Sequence, residues 1–143
     1  MKTSCSSWSY HRTIGSGEMD QMGWLKECAA LGLDGVELLF CHFPSTDPAY
    51  LVSLRKACAD LFLSVAAVSA GGHLTTSDDA ERKKEIDDIA KWVGVGVFMG
   101  APCVRFFCGS GTELAAGGEA RYKKVVKAVH QVAELGAAHG IVM

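Results

Sequence analysis

Short runs of consecutive apolar residues alternate along this chain with longer stretches in which apolar residues recur every three or four positions. The first rhythm predicts strands and the second amphipathic helices. Ser4 to Tyr10 gives a short, serine-rich first strand, followed by a polar loop from His11 to Gly17. Glu18 to Leu31 is helical in rhythm, with Met19, Met22, Leu25, Cys28 and Ala29 on one face, acids at its positive end and Gly32 to stop it. A second strand runs from Gly35 to Phe40. Asp47-Pro48 then starts a helix with an N-cap acid and a proline in its first turn, and Leu51, Leu54, Cys58 and Leu61 form its apolar face. The third strand, Leu63 to Ser69, leads into a loop from Ala70 to Leu74, and Thr75 to Asp79 caps a long third helix. Ile86, Ile89, Ala90, Val93 and Val97 are its buried stripe, while Glu81, Arg82, Lys83, Lys84, Glu85, Asp87, Asp88 and Lys91 make a solvated face of mixed sign. A fourth strand spans Pro102 to Cys108, and a fourth helix runs from about Glu119 to Leu135. Ala137 to Met143 begins a fifth strand.

Strand and helix thus repeat four times, each unit spanning roughly 30 residues as a βαβ crossover does. Such crossovers are right-handed, so the strands should lie parallel. Either an open doubly wound sheet or part of a barrel of ~250 residues would use this chain. A dinucleotide-binding sheet requires a glycine fingerprint after its first strand, and the turn from His11 to Gly17 lacks the third glycine at the required offset. The Gly109-Ser110-Gly111 loop lies where a phosphate could sit, but a lone G-x-G is common in plain loops.

Within the second strand one acid interrupts an apolar run. If Val36, Leu38 and Phe40 face the helices, Glu37, Leu39 and Cys41 face the other way, into a barrel lumen. Arg105 shares that inward parity on the fourth strand. A lumenal ion pair would satisfy both charges, and the functional alternative is that one of them orients substrate hydroxyls. Three histidines lie at strand exits, where the chemistry of a barrel sits: His11, His42 and His73, the last in a glycine-rich loop. These five residues, Glu37, Arg105, His11, His42 and His73, are the candidate substrate contacts. Trp8 could wall the same pocket, whereas His130 and His139 lie on or just after the last helix.

Composition narrows the picture further. The 143 residues fit one domain, 1–143; with a hydrophobic content of 49% and a net charge of −2, they give no basic footprint for nucleic acid and no polybasic membrane anchor. There is no secretory leader and no run of ~20 apolar residues, so the expectation is a cytoplasmic protein without a membrane partner. Six scattered cysteines without a C-x-x-C pair are expected as small buried hydrophobes rather than disulfides or a zinc site.

The stretch Leu31-Gly32-Leu33-Asp34-Gly35-Val36-Glu37-Leu38 resembles the second strand of the xylose-isomerase-like TIM barrels, the sugar phosphate isomerases and epimerases. Ser69-Ala70-Gly71-Gly72-His73, Val104-Arg105-Phe106-Phe107-Cys108-Gly109 and Ala133-Glu134-Leu135-Gly136-Ala137-Ala138-His139-Gly140-Ile141 are similar to later segments of that family. The resemblance implies a parallel (βα)4 half of a barrel plus the start of a fifth strand. It also implies a sugar substrate and a divalent metal, manganese or magnesium, that assists proton transfer beside a sugar carbonyl. The family's metal ligands and catalytic bases lie on strands five to eight, so none is carried over to this chain, which would be inactive alone. Relatives that cut DNA at abasic sites need a histidine after strand four as well as one after strand three, and Cys108-Gly109-Ser110-Gly111 offers none. A half barrel has two open edges and an uncovered lumen face, here Leu39, Val65, Ala67 and Phe107. A homodimer or higher oligomer is therefore expected, and a non-catalytic, self-associating scaffold is the alternative to an isomerase half.

Overall fold

The computed structural model describes all 143 residues. Its order is β1 (Ser4–Ser6), α1 (His11–Gly15), α2 (Gln21–Ala30), β2 (Gly35–Leu39), α3 (Pro48–Asp60), β3 (Ser64–Ser69), α4 (Asp79–Met99), β4 (Val104–Arg105) and α5 (Gly111–Ala138). The strands form one sheet in the order β1-β2-β3-β4, every neighbouring pair parallel. Val142 makes an isolated parallel bridge to Cys103, the trace of a fifth strand.

One face of the sheet packs on α2 to α5. Val36 and Leu38 of β2, Val65 and Val68 of β3 and Val104 of β4 join Trp24, Leu25, Leu54, Ile89, Val93 and Val132 in a single buried cluster. Val65 and Val68 are three residues apart, so they could not share a face in a regular strand. A bulge solves this: Val36 pairs with Val65 but Glu37 pairs with Ala67, leaving Ala66 as an extra residue in β3. Val65 consequently belongs to the helix-side core and not to the lumen as strand parity predicted. Leu39 is also covered, so of the expected lumen surface only Phe107, at 47% exposure, stays broadly open.

Four other expectations are corrected. The first strand stops at Ser6, because Ser7–Tyr10 winds into a 3-10 turn capped by the Ser6 hydroxyl, and His11 starts a short helix where a loop was expected. The last helix begins at Gly111, not near Glu119, but it is broken at Gly118, whose backbone is non-helical (φ 60°, ψ −158°). Arg82 leaves the solvated face and is buried, with Nε donating to the Leu74 carbonyl at 2.9 Å, and with further bonds to the Thr76 carbonyl and Asp79. Of the six free cysteines only Cys28 and Cys58 are buried; Cys41 and Cys108 are exposed. Burial pushes the Cys28 thiol up to about 12 and Cys58 up to about 11, so both stay protonated as small apolar groups.

The turns that lead from helix to strand share a left-handed residue, supplied by glycine at Gly32 (φ 71°) and Gly140 (φ 69°). The turn after α3 places Phe62 there instead, at φ 57° and 92% exposed. A bulky residue is strained in that conformation and here gains no packing in return. Replacing it, Phe62→Gly, should raise stability by roughly 0.5–1 kcal/mol, the relief of strain less the entropy glycine adds to the unfolded chain. A urea titration reads this as a higher midpoint at unchanged slope; a lower midpoint would contradict it.

Candidate functional site

The carboxyl ends of the strands carry the polar groups. Register places Glu37 beside Ala67, and Leu39 beside Ser69, which in turn pairs with Arg105. These residues therefore share the face turned away from the core cluster. There Arg105 Nε donates to Glu37 Oε1 at 2.7 Å, spanning β3 between them. Arg105 also lies over the Phe107 ring, 4.9 Å from guanidinium carbon to centroid. With Arg105 43% and Glu37 19% exposed, the pair is accessible and its net stabilisation is small; its value is the fixed orientation of a guanidinium that spends only its Nε–H on Glu37.

Arg105 forms part of the wall of a cavity of about 730 Å³, together with Trp8, Phe40, Phe107 and the Gly71-Gly72 backbone. Gly72 is required where it stands, since a Cβ there would meet the Phe107 carbonyl oxygen at 2.0 Å. Trp8 is 56% exposed. The His11 ring stacks on it, with centroids 4.6 Å apart and 11° between planes, and Nδ1 of His11 donates to the Trp8 carbonyl at 3.0 Å. His42 lies near-parallel to the same indole at 6.5 Å. Its Nδ1 meets the buried Ser7 hydroxyl at 2.8 Å, and that oxygen accepts the Leu39 amide at 3.2 Å. The Ser7 hydroxyl is thus free to give its own proton to a neutral imidazole.

His73 lies apart from that wall. It lines an adjacent cavity of about 350 Å³ with Glu85, Asp88, Lys91 and Trp92, sharing Phe40, Gly71 and Gly72 with the larger one. Its Nε2 is 2.5 Å from Glu113 Oε2, and Thr75 Oγ1 donates to the same oxygen at 2.7 Å. Of the five candidate contacts, then, Glu37 and Arg105 form one unit, His11 and His42 brace Trp8 from outside the cavity, and His73 belongs to a neighbouring network. Glu113 escaped the sequence reading, which took Thr75 only as part of a helix cap. The signal was present in Ser110-Gly111-Thr112-Glu113, the spacing of a capping box. The box is only half closed: Ser110 Oγ accepts the Glu113 amide at 3.5 Å, but the Glu113 carboxylate turns to His73 and the Ser110 amide donates to Thr75 Oγ1 instead.

No three His, Cys, Asp or Glu side chains converge in a way that could hold a metal ion. The divalent metal implied by the resemblance does not fit this chain's own donors. No helix is long and apolar enough to cross a membrane.

A parallel sheet covered by helices on one face, with its polar groups gathered at the strand exits, defines this chain as part of a (βα) barrel. Residues 25–143 match the model of the xylose isomerase-like TIM barrel family, and the chain belongs to that family. Sequence comparison with curated proteins gives no match. Among solved structures it is similar to a probable 3-DHS dehydratase from Bacillus anthracis involved in petrobactin synthesis, with a TM-score of 0.77 and 18% identity over 99% of this chain and 50% of that one. It is also similar to the D-psicose 3-epimerase of Clostridium cellulolyticum (TM-score 0.75, 15% identity, 99% and 50% covered) and to an L-ribulose 3-epimerase (TM-score 0.71, 23% identity, 99% and 48% covered). The chain spans about half the length of each of these proteins.

Burial and the nearby His11 charge hold the His42 imidazole below its ordinary value of 6.5, while the Thr75 hydroxyl and then His73 hold Glu113 below 4.5. For both groups the folded value is the lower one, so their contributions are complete above the ordinary value and are lost as pH falls through the folded one. Stability should begin to decline below about pH 6.5, and His42→Gln should flatten that first part of the decline. Urea midpoints taken from pH 7.5 to 5 would show it, and identical slopes in both proteins would refute the assignment.

Proposed function

We propose that this chain supplies the substrate-gripping half of a sugar isomerase or epimerase pocket. The observation that carries this reading is Arg105, oriented by Glu37, in the wall of a cavity that it shares with Trp8 and Phe107. A sugar presents hydroxyls around its rim and C–H groups on its faces. Arg105 donates to hydroxyl oxygens, Glu37 Oε2 accepts from hydroxyl protons, and the exposed Trp8 ring, held flat by His11, takes an apolar sugar face. In this reading these residues bind and orient a carbon beside a carbonyl. The groups that move its proton, and the manganese or magnesium that would polarise the carbonyl, come from the other half of a barrel. Sugar phosphates are bound less readily than free sugars by this half, since Glu37 already offsets the one cation of the wall.

Two of the similar structures are D-psicose 3-epimerases, one solved with D-tagatose and the other in the presence of D-fructose, which makes ketohexoses the probes of choice. Titrated with D-tagatose or D-fructose, the protein should change its Trp8 fluorescence with a millimolar midpoint. Trp8→Phe should remove the signal, and Arg105→Met should weaken binding about tenfold, the loss of roughly one charge-assisted hydrogen bond. Saturating sugar without any change in fluorescence, or in the amide spectrum of residues 105–107, would overturn the reading.

A second reading is favoured by a separate observation. The outer edge of β1 is unpaired, and Val142, at the opposite edge, is 69% exposed. A scaffold that associates with a second copy would cover both edges. Light scattering on a sizing column should then give a discrete species of twice the chain mass at micromolar concentration. A monomer across that range would remove this alternative.

A further inference from the structure

The stretch after β4 is attached to the body of the protein in an unusual way. From Phe107 to Lys124 no residue is buried, although the stretch contains the first three turns of α5. Only Leu114 packs partly against the core cluster. The rest of the attachment is polar: the Phe107 amide donates to the Gly71 carbonyl and Lys124 binds Asp79 at the two ends, and between them the bonds converge on His73 and Thr75 of the loop after β3. The Thr75 amide donates to the Cys108 carbonyl at 3.0 Å, and Thr75 Oγ1 accepts the Ser110 amide at 2.9 Å. Thr75 Oγ1 and His73 Nε2 both meet Glu113 Oε2.

Each end of the stretch has a glycine in a conformation closed to other residues. Gly109 has φ 116° and fits so closely that a Cβ would meet Thr75 Oγ1 at 2.3 Å. Gly118 interrupts α5, so residues 111–117 form a short helix distinct from the one that carries the buried Val125, Ala128 and Val132. A side-chain bond crosses the break, Arg121 Nη1 donating to the Glu113 carbonyl at 2.7 Å. The loop on the other side is fixed in place, because buried Arg82 binds the Leu74 and Thr76 carbonyls on either side of Thr75.

We propose that residues 109–118 are a strap continuing from the wall of the Arg105–Phe107 cavity, hinged at Gly109 and Gly118 and latched to the rigid β3 exit loop by Glu113. Segments with little buried apolar surface open at low free energy, and a latch of a few exposed hydrogen bonds sets how often they do. Glycine hinges absorb the backbone rotation without moving the helix behind them. The strap begins two residues after Phe107, which lines that cavity, and its Glu113 holds His73, which lines the adjoining one, so its opening frees these two wall residues to adjust to a bound sugar. Only this last role rests on reading the cavity as a sugar site; the motion of the strap does not.

Hydrogen exchange of the intact chain, followed by mass spectrometry, tests it. In the wild-type protein the amides of 111–117 should exchange at least about tenfold faster than those of 125–136. Glu113→Gln and, separately, Thr75→Val should speed 111–117 by a further several-fold and leave 125–136 unchanged, whereas Thr75→Ser, which keeps the hydroxyl, should behave as wild type. Equal protection of the two segments in the wild type overturns the proposal, as does a uniform acceleration of both in the Glu113 and Thr75 variants. Added D-fructose separates the two ideas. Slower exchange across 107–118 supports a strap that responds to bound sugar, while a mobile strap indifferent to the sugar supports the hinge and counts against the sugar reading.

Discussion

A strand in the middle of a parallel sheet has two faces to cover, and in this chain they are covered by different means. The helix side is closed by aliphatic packing: Val36 and Val65 in one row, then Leu38, Val68 and Val104 in the next, all against α2 to α5. The other side carries Glu37 and Arg105, which tolerate that position because they face each other across 2.7 Å. Everything distinctive about the candidate site follows from this division. The core fixes where the strands end, and the strand ends fix which side chains can reach the cavity.

The fold could be read from the chain because its strongest signals are periodic and local. The stripes Leu51, Leu54, Cys58 and Ile89, Val93 were legible as buried faces, and the Glu37–Arg105 pairing followed from parity plus the cost of burying a lone charge. What escaped the reading depends on deviations from period. The bulge at Ala66 moves Val65 across the sheet; the 3-10 turn at Ser7–Tyr10 ends β1 before its apolar pattern does; and Arg82, one of a run of charges, is drawn inward by two carbonyls that only the folded loop presents. The role of Glu113 was hidden for a similar reason. Its spacing from Ser110 marks a helix start, but its partners His73 and Thr75 are 40 and 38 residues away.

The loop after β3 is the most heavily bonded of the strand exits. Arg82 grips it from the helix that follows, and Thr76 binds Glu81 in that helix's first turn. From the far side Glu113 and Ser110 reach it from the start of α5. His73 therefore takes its place through a network whose anchors come from two helices. Trp8 is placed differently, by ring stacking and by the hydroxyl that ties Ser7 to β2. The rim of the cavity thus combines a wall set by aromatic contact with an adjoining loop set by hydrogen bonds.

The extra residue in β3 has a consequence for how this sheet can vary. It works as a phase shift: upstream of Ala66 the strand is in one frame, downstream in the other, and Val65 and Val68 both reach the core only because the frame changes between them. A chain that paired Ala66 in regular register, without the bulge, would keep its composition and its helices, yet would carry Val68 to the lumen and Ser69 into the hydrophobic layer. The bulge is therefore information of the same rank as side-chain identity: deleting Ala66 would leave Val65, Ala67, Val68 and Ser69 in one regular frame on the faces they already hold, whereas keeping Ala66 and flattening the bulge would turn the end of the strand inside out.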